Sequence, residues 1–288
     1  MLRGLYTAAS GMITQQRIND TVTNNIANMN TPGYKQGNAV SRAFPQMLLS
    51  MTGLNNVAPV QVGKINTGVF AEETPFLQLQ GDLTQTNRQS DFALVSDIAV
   101  PGVTFDASGK SVSPDGEVTY QPQAYFTVQN REGETRYTRD GSFQLDPAGN
   151  LVTSNGFQVI GANGQGIQFP VGVSLDDLTL TADNRFVVTD TGEDTGMQLL
   201  LTRVDNPNDL VREGNGAFRY DGADGGASPL GAGDNAEVCQ GYIERSNVDP
   251  TQASVDLMTA LRAYEANQKV IQFYDASLDK AVNSVGKV

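Results

Sequence analysis

The chain has 288 residues, 39% of them hydrophobic, and 32 acidic against 19 basic side chains give it a formal net charge of −13. That length exceeds the commonest single domain and predicts two or three. The acidic excess excludes a polyanion as main ligand, because gripping phosphates needs clustered Lys and Arg, so no nucleic-acid partner is expected.

With no His, no Trp and a single Cys, the chain has no Ser-His or Cys-His nucleophile pair, no imidazole base and no HExxH-type zinc site. Cys239 cannot form an internal disulfide and reads as a small buried hydrophobe beside Val238. No stretch approaches the roughly twenty apolar residues of a transmembrane segment, and Met1-Leu2-Arg3 leads into an amphipathic helix, not a signal-peptide core. A soluble chain without a Sec-type leader is the expectation.

The first predicted element is a helix in which Leu2, Leu5, Ala9, Met12, Gln16, Asn19, Thr23 and Ile26 step by three and four, apolar at first and polar later. Asn24, Asn25, Asn28 and Asn30 crowd its end before Thr31-Pro32-Gly33, where Pro breaks the helix and Gly or Asn supports the turn. From Tyr34 to about Arg88 the chain is polar, and its one dense apolar cluster, Phe44, Met47, Leu48, Leu49 and Met51, predicts a short helix. Gly53, Gly63, Gly68 and Gly81 punctuate the rest, which reads as extended chain that must lie on something else.

Strand signals become dense at Phe92-Ala93-Leu94-Val95. A Gly-, Ser- and Pro-rich excursion over 96–123 then reads as a surface insertion. Runs at 125–128, 137–138, 143–145, 151–152, 157–160, 167–169, 178–180, 186–188 and 197–201 follow, with Asp-Gly and Asn-Gly pairs between them that predict hairpins. That rhythm suits an antiparallel sandwich or barrel.

After Gly241 the chain returns to helix. Asp249 suits the N-cap and Pro250 the first helical position, where a missing N–H costs nothing. Leu257, Leu261, Tyr264, Gln268, Ile271, Asp275, Leu278, Val282 and Val285 form a four-and-three seam for a partner helix, with Asp275 its misfit. The predicted fold is thus a mainly β domain inserted between N- and C-terminal helices that form a discontinuous coiled-coil-like module. Its divisions are a helix at 1–33, an extended region at 34–90, a β-rich domain at 91–240 with the insertion at 96–123, and a return segment and helix at 241–288.

No catalytic, cofactor or metal residue is assigned. The acidic loops Asp190-Thr191-Gly192-Glu193-Asp194 and Asp221-Gly222-Ala223-Asp224 do not complete an EF-hand, and read as turns. A carboxylate pair could hydrolyse glycosides without His, but no spacing identifies one.

Three motifs carry a resemblance. Asn24-Asn25-Ile26-Ala27-Asn28-Met29-Asn30-Thr31-Pro32-Gly33-Tyr34-Lys35 is very similar to the N-terminal signature of the rod, hook and hook-associated proteins of the bacterial flagellum. Ser246-Asn247-Val248 within 241–250, continued by Ala263-Tyr264-Glu265-Ala266-Asn267-Gln268-Lys269, resembles that family's C-terminal signature. Between them, Tyr137-Thr138-Arg139-Asp140-Gly141-Ser142-Phe143 with Gly149-Asn150-Leu151-Val152 looks like the β core of distal-rod and hook proteins. Phe44-Pro45-Gln46-Met47-Leu48-Leu49 is similar to paired rod-type proteins of Gram-positive bacteria. Family members pass almost directly between the strands flanking 96–123, so no family role transfers to the insertion.

The resemblance implies a structural, non-enzymatic subunit of the basal-body rod, outside the cytoplasmic membrane. Such subunits polymerise through their terminal helices into a hollow, torque-transmitting tube and are exported through the flagellar type III apparatus. The implied partners are copies of itself, other rod and hook subunits and that export apparatus. Two alternatives stand beside it: a hook-type subunit, and a secreted wall-acting hydrolase or adhesin whose helices pack privately.

Overall fold

A computed structural model describes residues 2–51, 60–72, 74–106, 109–170, 172–214, 216–231 and 233–285, so Gly53, the first of the glycines expected to punctuate extended chain, lies outside it. The chain forms two compact units, each assembled from separate stretches: Met1–Ala27, Gly37–Pro75 and Val248–Val288 in one, Asn28–Gln36 and Phe76–Asn247 in the other.

The first unit is built on helices α1 (Leu2–Ala27) and α2 (Pro250–Lys280), the latter continued by a π-turn over Ala281–Val285. Helix α2 starts as its sequence dictates: the Asp249 carboxylate accepts from the N–H groups of Thr251 and Gln252, and Pro250 fills the first turn. Gly4 lies against the Tyr274 ring and Gly11 against the Asn267 amide, 3.1 Å from where a Cβ would stand. These contacts step one heptad along α1 and one heptad back along α2, so the helices are antiparallel. The same register leads on to Ala260 and Ala253, both buried, and small residues on each helix let the backbones approach closely.

The seam that α2 turns inward therefore runs through Ala253, Leu257, Ala260, Tyr264, Asn267, Ile271, Tyr274 and Leu278, all buried or half-buried. It shares Leu257, Tyr264, Ile271 and Leu278 with the expected seam. Leu261, Gln268, Asp275 and Val282 are instead exposed, and the side chains of Leu2 and Val285 lie outside the described residues. The correction has a simple cause: a search for large apolar side chains passes over Ala253 and Ala260, which are small because the helices are close. Asp275 is no misfit, since it faces outward.

Strands β1 (Ser41–Ala43) and β4 (Val69–Ala71) pair antiparallel, as do β2 (Met47–Met51) and β3 (Val60–Ile65), with a register shift at Leu49. The expected short helix at Phe44–Met51 is thus corrected to a strand. Five residues carry no helical period to bury, whereas Val60 and Ile65 offer a β-branched partner edge. The Thr7 hydroxyl donates to the Thr67 carbonyl at 3.4 Å, and the Val69 N–H to the Ser10 hydroxyl at 3.4 Å, which seats the segment before β4 on α1.

The second unit is antiparallel β. It opens with β5 (Leu83–Gln85) and β6 (Phe92–Ser96). Within the insertion β7 (Lys110–Val112) and β8 (Val118–Tyr120) form their own hairpin. Then come β9 (Gln123–Gln129), β10 (Thr135–Thr138), β11 (Phe143–Leu145), β12 (Leu151–Thr153) and β13 (Gln158–Val159). Strands β14 (Leu178–Leu180), β15 (Arg185–Val188) and β16 (Asp194–Gln198) make a separate three-stranded sheet. The rest are β17 (Leu201–Val204), β18 (Leu210–Gly214), β19 (Ala217–Tyr220), β20 (Ala227–Pro229), β21 (Ala236–Gln240) and β22 (Tyr242–Glu244).

The main sheet has nine strands, in the order β11-β12-β13-β9-β10-β19-β18, with β17 joining β9 to β20. Two short pairs, β21 with β6 and β22 with β5, tie the last strands of the unit to its first. Phe92, Phe126, Phe143, Phe169 and Phe186 fill the core in tilted and edge-on contacts, with centroids 5.2–5.9 Å apart.

Most expected runs are strands, with three differences. In the run 167–169 Gln168 makes an isolated bridge to Asn150 in place of a strand, although Ile167 and Phe169 are buried. The run at 197–201 divides between β16 and β17. Asp140-Gly141 makes no hairpin, because β10 pairs with β9 and β19 while β11 pairs with β12; it brings the chain against β6, where the Phe92 N–H donates to the Gly141 carbonyl at 3.0 Å. A Cβ at Gly141 would collide with the Phe92 carbonyl. Gly141→Ala should therefore destabilise this unit by about 1–3 kcal/mol, read as a lower urea midpoint, and an unchanged midpoint would show that the close approach is not required.

Candidate functional site

The chemistry concentrated in the β unit is a buried ion cluster. Lys35 Nζ stands 2.5 Å from Glu244 Oε1 and donates also to the Leu79 carbonyl at 2.7 Å. Arg139 Nε faces Glu244 Oε2 at 3.4 Å, while its terminal nitrogens donate to the Leu94 carbonyl and Gln123 Oε1, both at 3.1 Å. The Gly81 N–H adds a 2.9 Å bond to Glu244 Oε1. All three charged side chains are fully buried, so two cations share one carboxylate away from water.

The electrostatics follow from that imbalance. Burial alone would raise the Glu244 carboxyl, but Arg139, Lys35 and the Gly81 N–H hold it below the usual carboxylate value. Burial, helped by neighbouring Arg139, pulls Lys35 from 10.5 down to about 8 against the attraction of Glu244.

Three chain segments deliver these residues. Gly33, at φ 66°, gives its N–H to the Glu244 carbonyl at 2.9 Å, and a Cβ there would stand 2.7 Å from the Arg139 carbonyl carbon. Asn247 accepts from the Gln36 N–H at 2.7 Å and donates to the carbonyls of Leu77 and Leu79 at 2.7 and 3.2 Å. The Arg212 guanidinium lies 4.2 Å from the ring centres of both Tyr34 and Phe76 and donates to the Lys35 carbonyl at 2.7 Å. Residues from all three sequence motifs thus meet at one point.

Sequence reasoning did not single out Lys35, Arg139 or Glu244 as a group. Each is a lone charge inside a different motif, and linear order gives no sign that they meet.

The signature residues that were singled out divide between inside and outside. Asn25 is buried, and its amide exchanges two bonds with the Gly37 backbone, at 2.8 and 3.0 Å, as a strand partner would. Its amide is therefore spent within the chain. Asn28 accepts from the Thr31 N–H and hydroxyl and so closes the helix end. Gly33, Tyr34 and Val248 are buried; Ile26, Thr31, Pro32, Ser246, Asn247 and Tyr264 are half-buried; Asn24, Ala27 and Glu265 are exposed.

Of the helix residues, Leu5, Ala9 and Met12 are half-buried. The outer sides of both helices keep large apolar groups in water, including Tyr6 at 66%, Phe273 at 74% and Val282 at 68% exposure. Cys239 is half-buried, and burial raises its thiol. The acidic loops are turns, with Asp194 ion-paired to Arg185 at 3.3 Å. An open groove of about 670 Å³ along Asn87, Arg88, Phe143 and Ser174 presents the carboxylate of Asp176 and no second acid.

Two measurements probe the cluster. Glu244→Gln strands two buried cations and should cost about 3–5 kcal/mol of unfolding free energy, seen as an early loss of β structure in urea; a loss below 1 kcal/mol would mean that water reaches the site. Lys35 supplies a pH signature. Above about 8 the folded chain releases the Lys35 proton, which the unfolded chain keeps up to 10.5. The unfolded state then binds more protons, so the Lys35 contribution to stability rises with pH across that window and is flat below it. The stability difference between the unaltered chain and Lys35→Met should therefore grow in favour of the former from pH 8 to 10.5, and a difference independent of pH would contradict the buried charge.

Comparison with known proteins gives the same three segments a common origin. Residues 5–35 match the family described as Flagella basal body rod protein, residues 121–193 the Flagellar hook protein FlgE/F/G D1 domain, and residues 240–284 the Flagellar basal body rod FlgEFG protein C-terminal. The chain is 37% identical to the flagellar hook-basal body complex protein FlhO of Bacillus subtilis (strain 168), over 100% of both chains. It is 32% identical to the flagellar basal-body rod protein FlgG of Borreliella burgdorferi, over 98% of each, and 30% identical to that of Agrobacterium fabrum, over 95% of this chain and 96% of the relative. Identity at this level along the whole length of each relative makes this chain a member of the flagellar basal-body rod and hook-basal-body protein family.

Proposed function

We propose that the chain works in the basal-body rod by polymerising through its helical unit, with α1 and α2 supplying the contacts that run along the axial tube. It is a structural rod subunit of the flagellum, and the rod and hook-basal-body names of its full-length relatives favour that role over a hook subunit. The finer reading rests on one observation: the helical pair is closed on its inner seam yet leaves Tyr6, Leu261, Phe273 and Val282 in water. A private two-helix module would have no use for them, and exposed apolar groups along an element mark an interaction surface. An open tube needs two different patches on each subunit that meet without closing a ring, and a helix pair with separate outer faces offers them.

In this reading the helical unit is the axial module and the β unit the separately folded body it carries. Assembly with other axial proteins, passage through the export apparatus and absence of catalysis belong to the same proposal. A wall-acting hydrolase or adhesin would leave the outer helix faces without a task.

Leu261→Asp tests the reading. The residue is 42% exposed and off the inner seam, so circular dichroism and urea midpoint should match the unaltered chain while sedimenting polymer disappears. Equal polymer yields would remove the helical unit from the assembly.

A further inference from the structure

Helix α2 has two outer stripes of opposite charge. One follows Met258, Leu261, Glu265, Asp275, Asp279 and Val282, a three-and-four progression that holds acids and no base. The other, next to it around the helix, follows Val255, Arg262, Lys269, Phe273 and Lys280, and holds bases and no acid. All these side chains are exposed. Among the described residues none of the six charges enters an ion pair within the chain; Asp279 accepts one hydrogen bond, from the Asn283 amide a turn further on.

An ordinary solvated helix intersperses its signs, because opposite charges three or four residues apart support the helix itself. Here Glu265 stands in that relation to both Arg262 and Lys269, yet over the helix as a whole the signs are sorted into stripes, each carrying apolar side chains as well. The inner seam with α1 uses a third direction. Helix α2 thus presents three distinct faces: one for α1, one acidic and apolar, one basic and apolar.

We infer that the acidic stripe of α2 receives the basic stripe of α2 from a second copy of this chain, the two helices lying parallel. The inference rests on the polymer reading above and names its contact. Copies related by a screw along the helix direction keep that direction, so α2 meets α2 in parallel. A stagger of one helical turn sets Lys269 of one copy level with Glu265 of the next and Lys280 between Asp275 and Asp279. The same stagger sets Phe273 of one copy level with the stretch of the acidic stripe between Glu265 and Asp275 of the next. Because the two stripes differ, the contact is heterologous and repeats without closing on itself as a pair. Charges of this kind add little to affinity but fix register and reject wrong alignments.

Mixing of charge-reversed chains tests it. One full-length variant carries Lys269→Glu and Lys280→Glu, the other Glu265→Lys and Asp275→Lys, and all four positions are exposed, so each monomer should keep its helicity. Alone, each variant sets like charges face to face and should need roughly tenfold more protein to sediment as polymer, a fold-change that added salt narrows. Mixed in equal amounts, every contact between unlike variants is complementary again, and polymer should form near the concentration the unaltered chain needs. If each variant alone assembles like the unaltered chain, or the mixture stays as poor as its components, the stripes meet something other than each other and the inference falls while the polymer reading stands. If the unaltered chain forms no polymer at any concentration, it is the polymer reading that falls.

Discussion

Two cations and one carboxylate, sealed from water, set the terms for the β unit. None of Lys35, Arg139 and Glu244 can be buried alone without a desolvation cost of several kcal/mol, so the unit closes only when all three are brought together. They come from positions spread over most of the chain, which makes the fold long-range by construction. Strand β22 pairs with β5 and β21 with β6, so the last strands of the unit complete pairs begun by its first. An apolar trio could fill the same space at less cost, but it would not penalise a chain that has closed with one segment missing. Specificity of this kind is the best-supported use of a buried charge.

The second constraint is the closeness of α1 to α2. Gly4 and Gly11 on one helix and Ala253 and Ala260 on the other bring backbones together, and the large partners Tyr274 and Asn267 then fit only in one register. Charge is partitioned to match. Acidic and basic residues balance in the helical unit, so the whole net charge of −13 falls on the β unit. A neutral helical surface can pack against copies of itself without long-range repulsion, and a strongly acidic β unit keeps the free chain soluble and resists non-specific contact.

Much of this was legible in the sequence, and the failures are informative. The end of α1 at the Asn-rich run, the Asp249 cap with Pro250 behind it, and most core strands followed from local signals that need no partner to be read. The β2 strand was missed because five apolar residues say nothing about period until a pairing strand is known. The inner seam was half missed for the opposite reason: the eye follows large side chains, and the tightest helix contact uses the smallest. Leu261, Gln268, Asp275 and Val282, read as part of one seam for a partner helix, lie off the face that α1 covers, and Leu261, Asp275 and Val282 fall on the acidic outer stripe. Pattern alone could see that α2 carries a second periodic face but not which face its own α1 occupies. The ion cluster was illegible, since a lone Lys, Arg or Glu in a turn-rich motif reads as solvated until the fold buries it.

The Asn-rich character of the terminal motifs has a common explanation in what a side-chain amide can do. An amide carries a donor and an acceptor together and can therefore replace a peptide group. Asn25 pairs with Gly37 through both, as one strand residue pairs with another. Asn247 accepts from the Gln36 backbone and donates to two carbonyls of the neighbouring segment, at Leu77 and Leu79. In both places an extended stretch runs without a sheet of its own, and its backbone groups would be unsatisfied if the amide were absent. Aspartate would keep the acceptor and lose the donor, leaving the carbonyls that the amide now serves without a partner. Polar extended chain that cannot fold alone is held in place by side chains that imitate the strand it lacks, which is why segments so poor in apolar residues are ordered at all.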